Sequence, residues 1–164
     1  MLKNTKIHVV HPIPPLYDTQ STILILGSFP SVKSRESMFF YGHPQNRFWK
    51  VLANLFHEPV PQSIPEKKEL AIKHHIALWD TIASCDIVGS SDASIENAVP
   101  NNIESILKCS HIERIYTNGK KSHDCYQKFI YPKLKIHDIV LPSTSPANAA
   151  WSLERLIEKW KIIL

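Results

Sequence analysis

Between residues 39 and 50 the chain gathers aromatic and amide side chains in one string, Phe39-Phe40-Tyr41-Gly42-His43-Pro44-Gln45-Asn46-Arg47-Phe48-Trp49-Lys50. An aromatic wall beside a carboxamide suits a planar ligand, because rings stack on its faces and the amide hydrogen-bonds its edge. Chemistry on an extruded nucleobase needs both. Core packing is the simpler use of Phe48 and Trp49, which fall on the apolar side of a predicted helix. Asn46, near the start of that helix, is either a cap or a ligand contact. A second set, Ser143-Thr144-Ser145-Pro146-Ala147-Asn148, offers three hydroxyls and backbone amides, suited to a phosphate or to an ordinary helix cap. Lys120, Lys121 and His123 follow Asn118-Gly119 as a basic loop, and Lys33, Arg35 and Arg47 extend the track if the partner is a polyanion; a solvated lysine pair is the plainer reading. Asp80 ends a predicted strand, where it either caps a turn or orients His43 or a water.

The elements that must position these groups alternate in type. Residues 7–20 carry Pro12, Pro14 and Pro15, which exclude a helix and disfavour pairing inside a sheet, so residues 1–20 are predicted as an extended arm. Residues 22–26 form a continuous apolar run closed by Gly27, as expected of a strand covered on both faces. A helix follows from Gln45, with Pro44 in its first turn and Phe48, Leu52, Leu55 and Phe56 inward. Ser63 and Glu66 predict a capping box for a helix reaching His74. Residues 76–80 are a second strand. Asn101 with Glu104 signals a helix ending near Ser110. Residues 112–117 form a third strand, Cys125 to Ile130 a helical stripe and residues 136–141 a fourth strand. Leu153, Leu156, Ile157 and Trp160 mark a closing helix. Strands separated by helices predict a three-layer α/β/α fold with a central, mostly parallel four-stranded sheet. The three polar loops all follow strands, at the sheet edge where such folds bind ligands.

With 164 residues the chain fits a single domain, and 43% hydrophobic against 21% charged residues excludes disordered and fibrous classes. No apolar run is long enough to span a membrane, and the start lacks a secretory signal, so a cytoplasmic protein is expected. Three cysteines without a CxxC exclude a disulfide framework and a cysteine-rich metal site; all three are read as buried thiols. Nine histidines without HxxxH or HExxH spacing give no metal signature, and no GxSxG elbow supports a serine hydrolase. A net charge of +4 permits nucleic acid without requiring it.

Five ordered strings carry a resemblance: Gly27-Ser28-Phe29-Pro30, Tyr41-Gly42-His43-Pro44 running into Gln45-Asn46-Arg47-Phe48-Trp49, Ala77-Leu78-Trp79-Asp80, Asn118-Gly119-Lys120-Lys121, and Leu141-Pro142-Ser143-Thr144-Ser145-Pro146-Ala147. Together they resemble the uracil-DNA glycosylase superfamily, the His-Pro-x-Asn-Arg-Phe-Trp string in particular its mismatch-specific branch. Within the superfamily the sequence is most similar to the hypoxanthine-DNA (DNA-deoxyinosine) glycosylases, over residues 22 to about 160. Two departures stand out. Phe29 occupies the position where uracil-excising branches carry a water-positioning Asp or Asn, and Ser143 the position where their second motif begins with His or Asn.

The resemblance implies a repair enzyme that flips a deaminated base, hypoxanthine first, and hydrolyses its glycosidic bond to leave an abasic site. Asn46 becomes the catalytic amide, its nitrogen donating to O6 or N7 of the base and its oxygen holding a water. Backbone amides of Ser28 and Phe29 add hydrogen bonds, Phe29 and Tyr41 stack, and Ser143 faces the base. Thr144, Ser145, Ala147, Asn148, Lys120 and Lys121 are the expected DNA contacts, with Ala147 a small wedge. If the transition state is nearly a free oxocarbenium ion, a positioned water suffices without a carboxylate at Phe29. No cofactor and no protein partner are expected, and the chain is expected to act as a monomer. Excision of uracil or another lesion, and a non-catalytic nucleic-acid-binding module on the same fold, remain the alternatives.

Overall fold

A computed structural model describes residues 5–164. Its strands are β1 (Ile7–Val10), β2 (Ile23–Gly27), β3 (Ile76–Asp80), β4 (Ile82–Ile87), β5 (Glu96–Pro100), β6 (Arg114–Asn118) and β7 (Asp138–Leu141). Its α-helices are α1 (Val32–Ser37), α2 (Phe48–Leu55), α3 (Ile64–Lys73), α4 (Ile103–Lys108), α5 (Lys120–Cys125), α6 (Tyr131–Leu134) and α7 (Leu153–Trp160), with a π-helical turn, Tyr126–Ile130, joining α5 to α6.

The central sheet has the order β3-β2-β6-β7, and every neighbouring pair is parallel. Strand β2 is buried at every position because helices cover both faces. Its side chains alternate accordingly. Ile23 and Ile25 enter one core with Phe48, Leu52, Leu156 and Trp160, whereas Leu24 and Leu26 enter the other with Ile103, Ile106, Tyr126 and Ile130. Full burial of each such side chain contributes about 2 kcal/mol. The three-layer α/β/α expectation holds.

A second sheet was not expected. Strands β1, β4 and β5 form an antiparallel sheet in the order β1-β4-β5. The chain runs from β3 into β4 through Thr81 alone, and amides of Thr81 and Ile82 bond the carbonyls of Gly27 and Ser28 before the strand departs. The predicted arm is thereby corrected: residues 7–10 pair with 84–87, because the strand ends before Pro12 and the prolines never have to donate to it. Met1 to Asn4, the rest of that arm's start, lie outside the described residues. A register shift at Ser84 breaks the alternation of β4, which conceals it in the sequence.

Local corrections follow from hydrogen bonding. Helix α2 begins at Phe48 and not at Gln45, since Oδ1 of Asn46 accepts from the Phe48 amide at 2.9 Å and holds residues 43–47 as a turn, leaving Pro44 outside the helix. Asn102, not Asn101, caps α4 by accepting from the Ser105 amide; Nδ2 of Asn101 instead donates to the carbonyls of Asp80 and Ile82. Cys109 is exposed, while Cys85 and Cys125 are buried. No helix among the described residues is long and apolar enough to cross a membrane.

Candidate active site

A cavity of about 310 Å³ opens at the carboxyl ends of the parallel strands, where Gly27, Asp80, Asn118 and Ser143 leave β2, β3, β6 and β7. Tyr41, Asn46 and Asp92 line it from other segments. The cavity lies at the sheet edge where the sequence reading expects a site, and four sheet ends plus two loops build it.

Asn46 is the most tightly specified polar group there. Its Oδ1 accepts from the Phe48 amide and from Oγ1 of Thr144, both at 2.9 Å. Thr144 is fully buried, and its Oγ1 accepts in turn from Nδ2 of Asn118 at 3.0 Å while its amide donates to Oδ1 of Asn118 at 3.0 Å. Every oxygen in this chain receives a proton, so neither carboxamide can be flipped without losing bonds. Oδ1 of Asn46 is therefore not available to hold a water, contrary to the sequence expectation. Nδ2, its donor end, has no protein partner among the described residues and is not enclosed.

Arg47 does not extend a DNA track. Its guanidinium donates to the carbonyls of Ser145 (2.9 Å), Asn148 (3.1 Å) and Thr144 (3.4 Å), and also to that of Trp151. One planar fork thus gathers the loop after β7. Arg35 is likewise committed, donating to the carbonyls of Pro30 and Gly89 with its guanidinium 5.7 Å from the Phe29 ring centre. Lys33 is exposed beside Glu36, and Lys120 pairs with Asp124 at 2.8 Å while its side chain stays 88% exposed, a pair weak enough to exchange for phosphate.

The loop of residues 143–148 caps no helix. Ser152 performs that task for α7, accepting from the Arg155 amide. Oγ of Ser143 accepts from the Ser145 amide and Oγ of Ser145 from the Ala147 amide, each at 3.1 Å, which leaves both hydroxyl protons to donate. Nδ2 of Asn148 bonds the Ser143 carbonyl, and Ala147 is exposed at the tip.

Asp80 does not orient His43. Its Oδ2 lies 2.6 Å from Nε2 of His11, and both side chains are almost wholly buried. The Ile13 amide donates to Nδ1 of His11 at 3.2 Å, which assigns the ring proton to Nε2 and makes His11 the donor to Asp80. Oδ1 of Asp80 has no hydrogen bond among the described residues and remains accessible. It lies against Gly27, where an added Cβ would approach it to 2.3 Å. Only glycine fits there. The Tyr41 hydroxyl abuts the same glycine and is buried without a well-formed hydrogen bond among the described residues; burial first, and then Asp80, drive its pKa far up against a smaller lowering by the nearby Asn118 side chain, so it stays neutral. The Tyr41 ring stacks on Phe48 at 4.1 Å, with Tyr41 in the left-handed region at φ 54°.

Phe29, 8% exposed, sits in the cavity wall with His11 edge-on to its ring at 5.8 Å. Ser28 beside it donates from Oγ to Oδ1 of Asp92 at 2.9 Å. Asp92 lies in the short 3₁₀ turn Asp92–Ser94 and keeps an open surface while protein crowds it on its other sides; this desolvation raises its pKa above the usual carboxylate range. His11 and Asp92 were both missed from sequence. Their partners lie 69 and 64 residues away, and neither belongs to a motif. Among the described residues no group of three His, Cys, Asp or Glu is arranged to hold a metal ion.

Comparison with known proteins agrees with this architecture. A hypoxanthine DNA glycosylase of Methanosarcina acetivorans is 32% identical over 152 residues, covering 92% of this chain and 94% of the relative. Its namesake from Methanosarcina barkeri is 38% identical over 139 residues, covering 82% and 85%. A solution NMR structure from Methanosarcina acetivorans, described as a candidate uracil DNA glycosylase, superposes with a TM-score of 0.76 at 31% identity, covering 92% of this chain and 93% of that one. The uracil DNA glycosylase superfamily itself matches residues 14–163, which take in all four parallel strands, Asn46 and the loop after β7. A cavity ringed by those strand ends, in a chain aligned nearly end to end, makes this protein a member of the uracil DNA glycosylase superfamily.

Proposed function

We propose that the protein is a monofunctional DNA glycosylase that flips hypoxanthine out of DNA and hydrolyses its N-glycosidic bond. The observation that carries this reading is Asn46, whose oxygen is held by Thr144 and the Phe48 amide so that its free donor end belongs to the cavity. Rupture of the C1′–N9 bond leaves positive charge on the sugar and negative charge on the base. A fixed N–H donor to O6 or N7 stabilises the departing base without reorganising at the moment of reaction. The relatives named hypoxanthine DNA glycosylase support the same substrate.

Asp80 supplies the discrimination. Deamination of adenine replaces a bare N1 acceptor by an N1–H donor, and Oδ1 of Asp80, held from behind by His11, accepts that proton but repels the adenine lone pair. Tyr41 and Phe29 wall the pocket, and Ser28 and Ser143 border the base. Ser145, Ala147 and Asn148, on the loop gathered by Arg47, meet the DNA strand, with Lys120 and Lys121 on the adjoining rim; Thr144, expected from the sequence to join them, is instead fully buried and holds Asn46 and Asn118. Among the described residues no lysine lines the cavity, which favours hydrolysis by water over a Schiff base. One chain supplies every group, so a monomer suffices.

Alkaline strand cleavage after incubation with duplexes containing deoxyinosine, deoxyuridine, deoxyxanthosine or no lesion tests the reading. Deoxyinosine strands should be cut, and Asn46→Ala should slow excision by about 10²–10³ while DNA affinity persists. Equal rates for Asn46→Ala and the parent protein would remove Asn46 from the mechanism. Absence of excision on every substrate would leave a binding module.

A further inference from the structure

Phe29 lines the cavity with a ring that can neither accept a proton nor orient a water. We propose that Asp92, reaching the cavity from the turn after β4, is a catalytic residue that accepts the proton of the attacking water. The inference rests on the glycosylase reading above.

Three observations carry it. Asp92 lines the same cavity as Asn46 and Asp80. Its Oδ1 is fixed by the Ser28 hydroxyl at 2.9 Å, one residue from Phe29, so a carboxylate stands beside the phenyl ring in the cavity wall. Oδ2 makes no hydrogen bond among the described residues, and the residue keeps an open surface. The loop that delivers it is anchored: Arg35 donates to the Gly89 carbonyl, the Val32 amide to Oγ of Ser90, and Oγ of Ser94 accepts from the Val88 amide. Such anchoring is what a group acting on a single water requires.

The step balances without a further reactant. Water oxygen bonds to C1′ as the C1′–N9 bond breaks and its electron pair leaves with the base; Oδ2 of Asp92 takes one water proton, the other stays on the new C1′ hydroxyl, and the base anion takes a proton from solvent, to which Asp92 then returns its own. Desolvation makes Asp92 a stronger base than an ordinary aspartate. The groups that face it are the Ser28 hydroxyl at the end of β2, Lys121 on α5, which favours its ionised form, and Asp80 at the end of β3, which opposes it; the thiols of Cys85 on β4 and Cys125 on α5 lie close enough to couple.

Single-turnover excision by the full-length protein, measured from acid to neutral pH, tests the proposal. The parent protein should lose activity as pH falls, with a midpoint above that of an ordinary aspartate. Asp92→Asn preserves the acceptor for Ser28; it should slow excision by about 10²–10⁴, leave affinity for the lesion duplex intact and abolish the acid limb. Ser28→Ala is an independent variant. Its hydroxyl favours the ionised carboxylate, so its loss should move the acid limb to higher pH. Parent-like rates and pH dependence in Asp92→Asn, or an unmoved limb in a folded Ser28→Ala, would overturn the proposal. A parent protein that cuts uracil and spares hypoxanthine would defeat the base assignment alone, and the role of Asp92 would then be read on uracil by the same two variants.

Discussion

At the scale of single residues the site is a set of amides and carboxylates whose free ends are decided by what holds the other end. Asp80 shows this directly. His11 occupies Oδ2, and the Ile13 amide behind His11 keeps the ring proton where Asp80 needs it. Asp80→Asn should therefore turn its carboxamide oxygen towards His11 and aim an NH₂ group into the cavity, replacing an acceptor by a donor. Excision of hypoxanthine should fall by about ten- to hundredfold, measured as kcat/KM on deoxyinosine duplexes, while adenine loses the repulsion that excluded it. The sequence singles out Asn46 because its string is contiguous and its neighbours carry a helix signal, and the structure sets it in the cavity wall. His11 and Asp92 were not legible there, since each acquires its role from a partner more than sixty residues away that no local spacing announces.

Secondary-structure elements set how far these groups can move. The loop after β7 has little regular structure of its own, and the Arg47 guanidinium supplies what regularity would have, through the carbonyls of Thr144, Ser145, Asn148 and Trp151. Arg47→Ala should destabilise the protein by about 3 kcal/mol, read in urea unfolding, and should expose residues 143–151 to limited proteolysis before the rest of the chain. Among elements, β2 was plain from the sequence because burial on both faces demands an unbroken apolar run. Strand β4 was obscure because its bulge breaks the period, and β1 because three nearby prolines suggested an unpaired arm although none lies within the strand. The turn at Asn46 likewise displaced the predicted start of α2 by several residues, since the side chain competes with the backbone for the Phe48 amide.

Across the whole molecule the parallel sheet was readable as a class, because alternation of strands and helices leaves few topologies, and a cavity does open at its carboxyl edge. The antiparallel sheet adds what that class does not specify: it delivers His11 from one side and Asp92 from the other, so the two carboxylates of the cavity are tied to a layer that has no part in the central sheet. The rim is basic on the α5 side. If Lys120 and Lys121 each neutralise one DNA phosphate, the double variant Lys120→Ala/Lys121→Ala should bind every duplex more weakly and reduce the slope of log affinity against log salt by about 2, with no change in preference among bases.

The Arg47 fork also governs how the loop after β7 can diverge. It grips main-chain oxygens only, and every amino acid carries one. Side chains at Ser145, Asn148 and Trp151 can therefore be exchanged without loosening the grip, provided the backbone path is kept. A lineage bearing this arginine holds that loop in a fixed mount with interchangeable tips, and new surface chemistry can be explored there while the cavity-lining amide one residue away, Asn46, stays where it was.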